Sequence, residues 1–111
     1  MMEERRRAER YQVNMDVQWE SASVMRKGTI SDISTSGCFI LTSPEIAATE
    51  RVRVGIQLPK GKSVTLAGQA VYLTEEIGFA MRFIDLGYTE QRFLQRLVET
   101  ARRKLAGPGA S

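Results

Sequence analysis

The sequence predicts an all-β fold with one helix: a six-stranded antiparallel β-barrel closed by a C-terminal α-helix. Apolar residues alternate with period two in three segments, and polar turn signals separate these from further strand-like runs. After Gly87 the apolar spacing changes to three and four residues, which is the period of a helix.

From Gln12 to Trp19 the residues Val13, Met15, Val17 and Trp19 share one face and Gln12, Asn14, Asp16 and Gln18 the other, as in a half-buried strand. Ala22 to Ile30 is a second, less regular strand segment. Cys38-Phe39-Ile40-Leu41 is a short apolar run that suits a buried strand after a turn. Arg51 to Leu58 alternates again through Val52, Val54, Ile56 and Leu58, and Ile77 to Phe83 alternates through Ile77, Phe79, Met81 and Phe83. Between these two, Ser63 to Leu73 carries Val64 and Leu66 on one phase and Val71 and Leu73 on the other, with Gly68 between. Such a phase change predicts a strand with a bulge or a barrel bend.

The connections are short. Pro59-Lys60-Gly61-Lys62 and Thr74-Glu75-Glu76 suit hairpin loops, and Asp32 to Gly37 is a longer polar turn, so neighbouring strands are expected to run mostly antiparallel. Phe93, Leu94, Leu97, Val98, Ala101 and Leu105 form the stripe of one amphipathic helix from an N-cap at Thr89, with Arg102, Arg103 and Lys104 in its last turn, where cations favour the negative end of the helix dipole. Closure removes exposed sheet edges, and one helix can plug an open end of the barrel. Trp19, Phe79, Met81 and Phe83 are core residues in this reading. The expected organisation is one domain over residues 12–106, a flexible arginine-rich arm at 1–11 and a disordered tail at 107–111.

Composition narrows the function. Sixteen Lys and Arg against thirteen Asp and Glu give a net charge of +3, only a mild bias toward anionic partners. The chain has no histidine, the commonest general base and zinc ligand, so Ser34, Ser36 and Cys38 lack an activating base; an enzyme is not expected, nor a cofactor or metal. A single cysteine precludes an intrachain disulfide and suits the reducing cytoplasm. The charged start Met1-Met2-Glu3-Glu4-Arg5 and the absence of a long apolar run predict neither signal peptide nor membrane insertion.

Two segments carry chemistry. Arg5, Arg6, Arg7 and Arg10 crowd the first ten residues, and the planar guanidinium fork matches phosphate oxygens and the O6/N7 edge of guanine while its flat face stacks on purines. Alone, such a cluster reads first as a solvated basic tail that does nothing specific. In Asp32-Ile33-Ser34-Thr35-Ser36-Gly37 the carboxylate and hydroxyls can accept from guanine N1 and N2, and Gly37 can take a positive φ; alone, this is equally an ordinary turn bonded to its own backbone.

Taken together, Arg6-Arg7-Ala8-Glu9-Arg10 and Asp32-Ile33-Ser34-Thr35-Ser36-Gly37 resemble the R-x-x-x-R and D/N-x-S-x-x-G motifs of the PilZ domain family, in order and at similar spacing. Gly37-Cys38-Phe39-Ile40 and the stretch from Ile77 to Leu86 extend the resemblance over almost the whole chain. It implies a six-stranded barrel with a C-terminal helix that binds the bacterial second messenger cyclic di-GMP. Arg6 and Arg10 would clamp phosphates and guanine, Asp32 and Ser34 would hold a guanine edge, and Gly37 would shape the turn. Arg5 and Arg7 match no motif position and would add charge. The expected function is a free-standing receptor or adaptor whose arm becomes ordered on the ligand and whose signal passes to a protein partner of unknown identity. A small basic barrel binding RNA or DNA is the alternative, against which stands an aromatic content of 7% placed mostly on core faces; a protein-interaction module without nucleotide is another.

Overall fold

Alternating apolar residues become six strands because each buries one face against a common core. The computed structural model describes residues 9–22, 24–43 and 46–106. Its elements are β1 (Tyr11–Glu20), β2 (Met25–Ile33), β3 (Gly37–Leu41), β4 (Arg51–Gln57), β5 (Ser63–Thr74), β6 (Gly78–Phe83) and the helix α1 (Tyr88–Ala106), with a short 3-10 turn at Pro59–Gly61. Arg5, Arg6, Arg7 and the tail 107–111 lie outside the described residues, as do the side chains of Leu105 and Ala106.

The strands form a closed barrel in the order β1-β2-β3-β6-β5-β4, every pair antiparallel. Two three-stranded meanders, β1-β2-β3 and β4-β5-β6, meet along β3–β6 and along β1–β4, and the second seam leaves no free edge. Trp19 and Phe79 are both fully buried, with ring centroids 5.0 Å apart at 75°, an edge-to-face pair. The indole Nε1 donates to Thr42 Oγ1 at 3.0 Å, and that hydroxyl donates to the Lys27 carbonyl at 3.0 Å, so the polar end of the indole is satisfied in the core. Leu94 and Ala101 of α1 are buried, and Phe93, Leu97 and Val98 pack beside the barrel core along the same stripe.

Several local expectations shift. The second strand runs over Met25–Ile33, so Asp32 and Ile33 end a strand instead of opening a turn. β6 starts at Gly78, and Ile77 is 51% exposed, because Ile77 closes the preceding turn through a 3.0 Å bond from its N–H to the Thr74 carbonyl. The helix starts at Tyr88, so Thr89 is inside it; the first helical bond runs from the Gln91 N–H to the Gly87 carbonyl. Arg102 and Arg103 both pair with Glu99, at 2.6 and 3.2 Å, besides lying near the helix C-terminus.

The kink expected in the strand from Ser63 is a β-bulge. Ala70 pairs with Met81 and Tyr72 with Ala80, leaving Val71 as the extra residue. Leu66, Gly68 and Ala70 face inward, and an unbroken strand would send Tyr72 inward as well. The bulge reverses the phase and leaves Tyr72 55% exposed on the outer wall.

Candidate functional site

A second bulge positions the acidic residue of the site. In β2 both Ile30 and Ile33 are fully buried although they lie three residues apart. Ile30 pairs with Ile40 and Asp32 with Phe39, so Ser31 is the extra residue relative to β3. Without it Asp32 would share the inward phase of Ile30; with it the carboxylate points outward. Asp32 also faces Gln12 on β1, and Arg10, just ahead of β1, reaches it: Arg10 Nη1 donates to Asp32 Oδ1 at 2.5 Å. The two side chains are 47% and 32% exposed, so both keep donors and acceptors open to solvent.

The turn between β2 and β3 is built by Ser34. Its Oγ accepts from the N–H groups of Ser36 and Gly37 at 3.1 and 3.2 Å and lies 3.1 Å from the Ser36 hydroxyl. Its own N–H donates to the Gly37 carbonyl at 2.8 Å. At 1% exposure Ser34 is the buried polar residue of the described chain, its hydroxyl spent on the backbone as in a serine turn.

Gly37 is needed for a different reason from the positive φ expected of it. Gly61 is the glycine with positive φ among the described residues. At Gly37 a Cβ would sit 2.3 Å from the Met81 carbonyl oxygen on β6, the strand with which Gly37 pairs opposite Arg82. Gly37→Ala is therefore expected to push β3 from β6 and to destabilise the protein by about 1–3 kcal/mol, read as a lower urea midpoint. An unchanged midpoint would show that this seam opens without cost.

The outer wall continues from Asp32. Asp32 faces Phe39, Phe39 faces Ala80 and Ala80 faces Tyr72, one row across β2, β3, β6 and β5. The Phe39 and Tyr72 rings lie 6.3 Å apart at 42°, with Ala80 between them buried to 1%. In the next row Arg82 stands between Gly37 and Gln69; its Nη2 donates to Gln69 Oε1 at 3.3 Å, and Gln69 Nε2 donates to the Thr49 carbonyl at 2.8 Å. The alternation marked β6 as a strand and the family resemblance took in Phe39 and Arg82, but which side chains neighbour Asp32 depends on pairing between distant strands, so nothing local pointed to Phe39, Tyr72 or Arg82 as its neighbours.

Cys38, paired with Ile33, is fully buried; burial pushes its thiol up to about 12, with the Asp32 carboxylate adding to the rise and Arg10 opposing it. At neutral pH it is an unreactive packing residue. At the root of the arm, the Tyr11 hydroxyl donates to Glu9 at 2.7 Å, a bond that, ahead of burial, raises the phenol above its ordinary value. Among the described residues no group of three or more His, Cys, Asp or Glu side chains is placed to hold a metal, and no helix is long and apolar enough to cross a membrane.

The family model described as the PilZ domain matches residues 4–100. No curated protein matches the chain. Among solved structures, the PilZ domain of YcgR from Escherichia coli, determined with c-di-GMP, is 19% identical with a TM-score of 0.73, covering 90% of this chain and 93% of that one. The inhibitor of motility MotI/DgrA of Bacillus subtilis is 16% identical with a TM-score of 0.72, covering 92% of this chain and 52% of that one, so this chain spans about half of its length. The PilZ domain of CeSA from a cellulose-synthesizing bacterium is 20% identical with a TM-score of 0.68, covering 83% and 96%. These likenesses show a shared fold.

Proposed function

The chain belongs to the PilZ domain family, and from that premise we propose that it is a receptor for cyclic di-GMP and not an enzyme. The observation that carries the reading is the contact between the two sequence motifs: Arg10 of the first reaches Asp32 of the second at 2.5 Å on the outside of the barrel. A cation and a carboxylate side by side complement a guanine nucleotide. Asp32 accepts from guanine N1 and N2 through the oxygen that Arg10 leaves open, while the Arg10 fork meets a phosphate or the O6/N7 edge. Ser34 acts through the turn that it holds, and Gly37 through the close approach of β3 to β6.

The remaining positions, Arg6 with Arg5 and Arg7, lie outside the described residues. In the proposed mechanism this arm closes over a ligand seated on the barrel wall, and the altered surface is read by a partner protein. A permanent charge at Arg6 would then supply a second clamp on the phosphates.

Calorimetric titration of the full chain with cyclic di-GMP, with GTP and a short oligonucleotide as controls, tests the proposal. Saturable binding of the cyclic dinucleotide alone is expected. Binding of the oligonucleotide in its place would make the protein a nucleic-acid-binding barrel, and no binding of either would favour an interaction module.

A further inference from the structure

The positive charge of the chain is concentrated on α1. Of the sixteen Lys and Arg and thirteen Asp and Glu, the helix carries five cations (Arg92, Arg96, Arg102, Arg103, Lys104) and two acids (Glu90, Glu99), a net +3, and the rest of the chain holds eleven of each. We propose that the outer ridge of α1, centred on Arg92 and Arg96, is a docking surface for an acidic helix of a partner protein, one that carries two carboxylates a turn apart. The inference goes beyond the cyclic di-GMP reading and does not depend on it.

At about 100° per residue, the side of the helix opposite the buried Leu94 and Ala101 presents Tyr88, Arg92, Arg96, Glu99 and Arg103. The cations of the last turn, Arg102, Arg103 and Lys104, complement the helix dipole, and Glu99 takes two of them, Arg102 and Arg103, at 2.6 and 3.2 Å. Arg92 and Arg96 have neither explanation. They lie in the first half of the helix, where the dipole gives cations no advantage, and like charges one turn apart repel. Arg92 Nη1 donates to the Tyr88 hydroxyl at 2.8 Å, and its guanidinium lies 5.6 Å from the centroid of that ring, so a neutral group orients the cation and leaves its charge uncompensated. Arg96 is exposed and has no hydrogen bond or ion pair among the described residues.

The chemistry of the ridge selects among anions. A shallow groove of about 600 Å³ follows it from Arg92 to Arg103, lined also by the neutral hydrogen-bonding groups of Gln95 and Thr100. A guanidinium fork pairs bidentately with a carboxylate, and Arg and Tyr are enriched at protein interfaces where Lys is depleted; the ridge has both and no lysine. Arg92 and Arg96 stand one turn apart, about 6 Å along the axis, so carboxylates at the same interval on a facing helix meet both. Glu99, 40% exposed, interrupts the cations before Arg103. A continuous polyanion, such as a nucleic-acid backbone or an anionic membrane surface, meets that carboxylate with like charge, whereas a helix with discrete carboxylates can set a neutral residue against it. Apart from the Tyr88 ring, the ridge has no large apolar side chain to enter a bilayer.

The test is fluorescence-anisotropy titration of the full chain, without nucleotide, into a labelled synthetic alanine-based helical peptide with glutamates at i and i+4. A peptide of the same composition with its glutamates at i and i+2, on different faces, is the comparison, and a short DNA duplex and phosphatidylglycerol vesicles are the other anions. Saturable binding of the first peptide is expected, about tenfold tighter than that of the second, the loss that one missing charge-assisted hydrogen bond represents. Arg92→Gln/Arg96→Gln keeps the helix propensity and is expected to weaken binding at least about tenfold. Lys62→Gln/Lys104→Gln removes the same charge elsewhere and is expected within about twofold of wild type, since salt screens distant charges. All four side chains are exposed, and unchanged circular dichroism melts would separate these effects from misfolding. Equal weakening by the two double variants, equal binding of the two peptides, or binding of neither overturns the docking surface. A preference for the duplex or the vesicles that the arginine variant loses overturns it as well and assigns the ridge to that polyanion. None of these results depends on affinity for cyclic di-GMP, so the receptor reading stands or falls separately.

Discussion

Arg10→Ala is expected to lower the affinity for cyclic di-GMP at least about a hundredfold while the barrel stays folded. Two charge-assisted hydrogen bonds at roughly 1.5–3 kcal/mol each exceed the ~2.7 kcal/mol that such a change represents. The loss has a second source. Arg10 balances Asp32 at 2.5 Å, and removing it leaves a carboxylate facing a ligand that is itself anionic. Asp32→Ala loses a guanine contact but frees Arg10 for phosphate, so its expected loss is smaller, about tenfold. The pair is half exposed, and an exposed ion pair contributes about 0–1 kcal/mol, so neither substitution should shift the thermal midpoint by more than a few degrees. Titration calorimetry together with thermal melts measures both quantities. Binding of Arg10→Ala within threefold of wild type would refute the site.

Trp19→Ala is expected to destabilise the protein by about 3–5 kcal/mol, a large share of the roughly 5–15 kcal/mol typical of a domain. Trp19 is fully buried, and its replacement opens a cavity against Phe79 that β1 and β6, held in a closed barrel, cannot collapse to fill. Trp19→Phe should recover most of the loss, since an aromatic ring remains against Phe79. Urea unfolding followed by circular dichroism reads the difference. An alanine variant within 1 kcal/mol of wild type would mean that Trp19 is not the centre of the packing.

These two residues also mark how much was legible beforehand. Trp19 stands in phase with Val13, Met15 and Val17, and that phase alone assigned it to the core, where the structure buries it. Arg10 and Asp32 were tied to one site by the resemblance of their motifs to a family, while the residues themselves favoured a basic tail for the one and left an ordinary turn equally open for the other. Their contact depends on the register of β1 against β2. Ser34 was read as a polar group open to a guanine edge, yet its hydroxyl is turned into the backbone. Gly37 was read as a turn former, and the carbonyl that excludes a side chain there belongs to Met81, forty-four positions away.

By itself the sequence determined the two periods, and with them six strands, one helix and the inward face of most strands, because side-chain direction repeats every two residues along a strand and every 3.6 along a helix. It also determined the motif chemistry, since the guanidinium and carboxylate are properties of single residues. Only the tertiary structure decided which strands are neighbours, where Ser31 and Val71 bulge, and therefore that Asp32 and Tyr72 face outward in one row. A bulge is a mismatch between two paired strands, and the pairing of β3 with β6 joins segments some forty residues apart. Local periodicity holds no information about that pairing, which follows from closure of the barrel as a whole.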